Sequence, residues 1–263
     1  MNKNISSKKY SNIPDRKWLD TLLVWFLMAF LISMMTIVLL ASANVIPSIV
    51  FPCVMIGFTG LIFGLTSISR YMTDTDFRHL IAATNFRYTK NPSNTEGSNI
   101  LLKSVITQGQ QANNYSRLIS GIRKNYSFRS IEYSYYIGEE KCIQTIICID
   151  LKQVSLTPFA IIQNNFILLD HAQKARKVPS EKYITNIAKN YSVMVNEHHK
   201  AELEIPNGII KAFSDNAFAS KFSLNIEYLG NRVLVYRYDQ VLIASEFLLF
   251  LDDAVTLAKK LES

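Results

Sequence analysis

The sequence predicts an α+β protein: an N-terminal transmembrane helical hairpin, then one antiparallel-sheet domain with segregated helices. Three observations carry this. Residues 21–69 are 49 consecutive positions without a charged side chain. Between residues 115 and 151, and again between 222 and 238, strand-forming runs are separated by short turn segments, as in hairpins. Residues 245–261 switch to an apolar period near 3.6, which marks a helix. Charged residues make up 19% of the 263, below the roughly 25% usual for soluble domains. The shortfall lies in that one uncharged run. Three cysteines without paired spacing exclude a disulfide scaffold and a classical zinc module.

The hairpin comes first. A bilayer core about 30 Å thick needs about 20 apolar residues per helix, so the run accommodates two spans, 18–40 and 46–68. Residues 1–17 form a basic N-terminus. The small polar turn Ala41-Ser42-Ala43-Asn44-Val45 separates the spans, and Pro47 suits a helix start. Pro52 lies deeper and should kink the second helix or shift its start. A signal peptide with an Ala-x-Ala cleavage site is the competing reading. Signal cores run about 7–15 residues, however, and this run is longer and is followed at once by a second. Lys3, Lys8, Lys9, Arg16 and Lys17 precede the spans, and Arg70, Arg78 and Arg87 follow them. Basic flanks stay cytoplasmic, so both termini should face the cytosol. Gly60-Leu61-Ile62-Phe63-Gly64, with Gly57 before it, is a small-residue seam for helix packing. It serves span on span within the hairpin, or a homo-oligomer between copies. Apart from Asp20 at the start of the first span, no ionisable side chain lies within the spans, which argues against a lone transporter.

The remaining residues, 70–263, suffice for one cored domain. Phe77, Leu80 and Ile81 give a short amphipathic helix over 75–83, with Thr73 or Thr75 as cap. Residues 86–88 read as a strand and 91–99 as a polar loop. Residues 100–114 are ambiguous, with a helical turn at 100–105. Residues 115–123, 127–137 and 142–151 read as three strands, the last two joined by a turn at 138–141. Cys142 and Cys148 share one strand face, as small buried residues rather than a disulfide. Residues 159–162 and 165–169 give a further strand or hairpin. Residues 172–190 read as surface loop with a short helix near 183–189, and 191–195 as a strand. A short helix is expected over 209–218. Residues 222–228 and 232–238 form a hairpin around Gly230-Asn231. The last helix is expected to start at a Ser245 cap. It should bury Phe247, Leu248, Leu251, Ala254, Val255, Ala258 and Leu261, with Asp252 and Asp253 on a solvated face.

Chemistry is harder to find. The common phosphate-loop, dinucleotide, zinc-protease, hydrolase-elbow and Cys-x-x-Cys patterns are missing from the sequence. His198 and His199 are adjacent and point apart on any regular backbone, so they make a poor chelate. His79 and His171 stand alone. No cofactor and no metal site is expected, and no catalytic residue is singled out. Residues 70–263 carry 23 basic and 19 acidic side chains, interspersed. That mild excess does not mark a nucleic-acid binder.

Residues 77–88 (FRHLIAATNFRY), 118–121 (LISG) leading into 128–135 (FRSIEYSY), 191–195 with 202–213, and 226–236 (IEYLGNRVLVY) follow the two spans. With these stretches the layout resembles uncharacterised bacterial integral membrane proteins with two N-terminal spans and a cytosolic domain of unknown function. Ile205-Pro206-Asn207 departs from the Thr-Pro that relatives carry before the late helix. The resemblance implies the bacterial cytoplasmic membrane as location. That family has no accepted activity, so no residue role comes with it.

The sequence therefore points to a membrane-anchored cytosolic binding or scaffold module, with the lipid bilayer and an unidentified protein as partners. The alternatives are a membrane-linked enzyme acting on a lipid or peptide, and an accessory subunit of a transport or secretion complex. A deep polar pocket would favour the enzyme, and a flat exposed apolar patch the others.

Overall fold

The computed structural model describes residues 74–102, 104, 114–137, 140–152, 156–164, 175–177, 191–196, 204–215, 218, 224–238 and 240–263, with scattered helical positions between 21 and 64. The chain divides into two compact units, Met1–His79 and Leu80–Ser263. In the first unit, the described positions among 21–38 and 56–64 are helical. Among the described residues no helix is long and apolar enough to cross a membrane. Most of the two expected spans lies outside the described residues.

The second unit is α+β, built on one antiparallel sheet with nine strands among the described residues. Its strands are β1 (Arg87–Thr89), β2 (Asn114–Arg123), β3 (Tyr126–Ile137), β4 (Glu140–Asp150), β5 (Phe159–Gln163), β6 (Ala175–Lys177), β7 (Tyr191–Asn196), β8 (Asn225–Tyr228) and β9 (Arg232–Tyr236). They are ordered β1-β2-β3-β4-β9-β8-β5-β7-β6. The described helices of this part of the chain are α1 (74–84), α2 (Asn94–Leu101), α3 (Asn207–Ser214) and α4 (Ala244–Leu261).

Local chemistry explains the long central hairpins. Lys124 and Asn125 join β2 to β3 with φ of 49° and 70°. Two successive positive φ values are those of a type I′ turn, whose twist matches the flanking strands. Ile137 pairs with Glu140, so β3 and β4 are also joined by two residues. Gly230, at φ 94°, makes the β8–β9 turn, where a side chain would be strained. In β2 the register shifts between Ser116 and Ile119. That bulge holds Arg117 at φ 46° and brings its guanidinium 2.7 Å from the buried Glu132 carboxylate.

Both faces of the sheet are covered. On one face, Ile131, Tyr133, Tyr135, Cys142, Ile146, Cys148, Leu234 and Tyr236 form a core cluster with Ile100 and Leu101 of α2. On the other, Phe128 packs against Phe247 of α4, and Tyr191 meets Phe213 of α3 edge-on. The strands in the middle must therefore be apolar on both sides. All four residues of β8 are buried, Asn225 and Glu227 included.

Several local expectations change. The expected loop at 91–99 contains α2. Ser93 caps it through a capping box, its hydroxyl accepting from the Glu96 N–H while the Glu96 carboxylate accepts from the Ser93 N–H. The Ser-x-x-Glu spacing is a recognised helix start, outweighed in the sequence by Pro92 and the surrounding Asn and Ser. Gly97 is needed there, because a Cβ at that position would land in the Tyr115 ring. Tyr115 in turn stacks on Tyr133. The expected loop at 172–190 includes β6, which pairs with β7. The helix and strand expected at 183–189 and 165–169 lie outside the described residues. The helix expected over 209–218 is α3, which ends at Ser214, and Phe218 beyond it still packs edge-on against Phe213. Ser245 does not cap the last helix. Ile243 occupies the N-cap without a side-chain bond, its side chain having no acceptor, and its carbonyl accepts from the N–H groups of Glu246 and Phe247.

Candidate functional site

The register assembles a small polar patch on the α2 side of the sheet, beyond the end of α2. Arg87 pairs with Ser120, Ser120 with Arg129, and Arg129 with Cys148. These four share one rung and one face. The adjacent rung on that face carries Ile122, Ser127 and, through the β4–β9 pairing, Asp150 opposite Arg232. The patch lines an open groove of about 710 Å³ whose other wall is Thr84, Asn85 and Phe86. Asn85, at φ 60°, stops α1, its N–H reaching the Ile81 carbonyl. The Phe86 ring itself lies on the α4 face, edge-on to Phe128 and over Gly121, where a Cβ would press on it.

Charge on the patch is unbalanced: three arginines face one carboxylate. Arg129 Nη2 donates to Asp150 Oδ1 at 2.7 Å and approaches Cys148 Sγ at 4.0 Å. Arg232 donates to the Asn99 and Leu102 carbonyls, both at 2.7 Å. It thereby closes the C-terminal end of α2, where a cation suits the helix dipole. Arg87 is exposed and makes no ion pair among the described residues. Burial pushes the Cys148 thiol up to about 11, with Arg129 opposing only in part. It is therefore a thiol at neutral pH and a poor nucleophile. The patch offers guanidinium and hydroxyl donors to an anion and holds no activated nucleophile.

Nearer the sheet centre lies a buried polar cluster on the same face. Glu227, fully buried, accepts from Tyr236 Oη at 2.9 Å and from Ser104 Oγ at 2.8 Å. Burial first, then the Glu227 charge and hydrogen bond, raise the Tyr236 phenol well above its usual value. It remains a neutral donor.

On the opposite face the acidic pair of α4 is not solvated. Asp252 receives Arg123 Nε at 2.9 Å and Nη2 at 2.8 Å, with Lys124 Nζ at 3.1 Å. Asp253 is 5% exposed. Burial alone would raise the Asp252 carboxyl, but the Arg123 and Lys124 hydrogen bonds hold it below its ordinary value. A depressed carboxyl stabilises the fold above its unfolded-state pKa, about 4, and loses that contribution as pH falls through the native value. The difference in Tm between the native chain and Asp252→Asn should thus be fully present at pH 6 and shrink steadily below about pH 4. A difference that is constant down to pH 2.5 would exclude this role.

The other residues singled out in the sequence are dispersed. His79 is exposed on α1, and Cys142 and Cys148 are buried on one face without a disulfide. His171, His198 and His199 lie outside the described residues. Gly57, Gly60 and Gly64 occupy exposed helical positions where a Cβ would meet open space. Among the described residues no group of three or more His, Cys, Asp or Glu could hold a metal ion. Arg87, Ser120, Arg129 and Asp150 carry no motif in the sequence. Only the strand register, which is non-local, brings them together.

Fold and patch together place the second unit among α+β domains built on one antiparallel sheet with helices packed on it. No protein-family model matches the chain, and no curated protein matches it. Among solved structures it is similar to the crystal structure of the mycobacterial trehalose monomycolate transport factor A. The TM-score is 0.38 at 10% identity, covering 70% of this chain and 91% of that one. No residue role is carried across at that level of likeness.

Proposed function

We propose that the chain is a membrane-anchored binding module. A helical hairpin at residues 18–68 sits in the bacterial cytoplasmic membrane with both termini cytosolic, as in the two-span family it resembles. The α+β domain works by binding rather than catalysis, with its basic sheet patch as the contact. The observation that carries the anchor is the uncharged run 21–69, read with the exposure of its described helical positions. Among the described positions, Trp25, Met28, Ile32, Met35 and Val38 are 51–72% exposed and Ile56 is 73% exposed. Large apolar side chains exposed in this way are costly in water and at home in lipid. Gly57, Gly60 and Gly64 supply the face for close helix approach, within the hairpin or between copies.

Cysteines placed at Asn44 and Asn94 test the arrangement with a membrane-impermeant maleimide on intact cells. Asn44→Cys should label from outside and Asn94→Cys only after lysis. Labelling of Asn94→Cys in intact cells would overturn the topology. Release of the chain by alkaline carbonate would overturn the anchor itself.

A further inference from the structure

We infer that the basic sheet patch seats the phosphate of an anionic phospholipid headgroup. The inference rests on the membrane-anchor reading for its choice of ligand source. The geometry comes from the register: Arg87 and Arg129 flank Ser120 on neighbouring strands of one face. Strands lie about 4.8 Å apart, so the two arginine backbones are about 10 Å apart with the Ser120 hydroxyl between them. Arg129 leans towards β4 through its Nη2 contacts, but arginine side chains are long enough for Arg87 and Arg129 to close on a single phosphate over Ser120, which guanidinium groups bind with paired N–H donors. Arg129 engages Asp150 and Cys148 through Nη2 alone, and its side chain is 35% exposed. Its Nη1 has no acceptor among the described residues. Ser127, exposed on the next rung, adds a second hydroxyl. Asp150 is the one carboxylate on the patch. It orients Arg129 and leaves a net positive face.

Two features select a lipid over a free anion. Ile122 is 71% exposed on the same face, beside the cations. An apolar side chain there has nothing to offer inorganic phosphate but can lie against the glycerol and upper acyl region. The groove wall begins at Thr84, fifteen residues after the uncharged run ends at Ser69.

The test uses the full chain in neutral maltoside micelles, titrated with dihexanoyl phosphatidylglycerol, dihexanoyl phosphatidylcholine and inorganic phosphate below their aggregation limits. Phosphatidylglycerol should bind at least about tenfold more tightly than either of the others: the trimethylammonium of phosphatidylcholine is repelled by the arginines, and inorganic phosphate has no glycerol or acyl part to lie against Ile122. Arg87→Ala should weaken it about tenfold while leaving Tm unchanged, because Arg87 is exposed and makes no ion pair among the described residues. Equal binding of the two lipids, or no effect of Arg87→Ala, would overturn the inference. Phosphate binding as tight as phosphatidylglycerol would make the patch a free-anion site and overturn the lipid. This readout in micelles does not depend on bilayer insertion, so its failure and that of the anchor, read by carbonate extraction, are separate results.

Discussion

Leu251→Ala should lower the stability of the second unit by about 2–5 kcal/mol, the range for deleting a buried leucine side chain. Leu251 is fully buried near the middle of α4. Its neighbours on the buried side are large: Phe247, Phe250, Val255 and Leu257. Such a wall collapses poorly into a cavity, which puts the cost towards the upper end. For a domain of this size each kcal/mol moves Tm by about 2–4 °C, so thermal unfolding in detergent should show a drop of about 5–15 °C. Leu249→Ala is the control. Leu249 is 45% exposed on the opposite side of the helix and should change Tm little. The helix is also fastened by polar contacts at two points. Arg123 and Lys124 hold Asp252, and Glu262 accepts from Tyr126 Oη at 2.7 Å and from the Lys152 N–H at 2.6 Å. If Leu251→Ala leaves Tm unchanged, α4 is not a clasp on the sheet and its stripe is free to dock elsewhere.

Glu227→Ala should be comparably severe, about 3 kcal/mol or more. The substitution leaves the hydroxyls of Tyr236 and Ser104 without their acceptor inside the core and opens a cavity as well. Tyr236 has no exposure, so water cannot replace the carboxylate cheaply. Glu227→Gln keeps the volume and one acceptor oxygen and should lose less than half as much. Denaturant unfolding monitored by tyrosine fluorescence reads both, with the midpoint shifting at unchanged slope. A midpoint equal to that of the native chain for Glu227→Ala would mean that the cluster contributes nothing to stability, and that Glu227 is held for another reason.

The elements set by local chemistry were legible in the sequence. The three central strands, the Gly230 turn, β5, β7 and the apolar stripe of α4 all follow from period, turn residues and β-branched content. Helix α2 was legible in principle from Ser93-x-x-Glu96, but the Asn, Ser and Pro around it carry an equally valid loop signal. The Ser245 cap was wrong because a good capping residue sat one turn-fraction inside a helix whose start was set by the packing of Leu242 and Ala244, both buried. Asp252 and Asp253 read as solvated because helix periodicity places them opposite the main stripe. The helix lies across the sheet, however, so Arg123 and Lys124 at the β2–β3 turn reach over its flank.

What the sequence by itself determined is the α+β class, most strand positions and the existence of a long uncharged N-terminal run, since these depend on side chains within a turn or two of one another. The tertiary structure alone decided which strands are neighbours. β4 pairs with β9, and β8 with β5, across separations that no local pattern encodes. That pairing order buries both faces of the central strands and draws Glu227, Tyr236 and Ser104 into one cluster. The bulge in β2 then sets the register beyond it, and register decides which side chains share a face. One residue of slip would turn Ser120 to the α4 side and part it from Arg87 and Arg129. The basic patch is a consequence of register, and register is settled by the packing of the whole sheet.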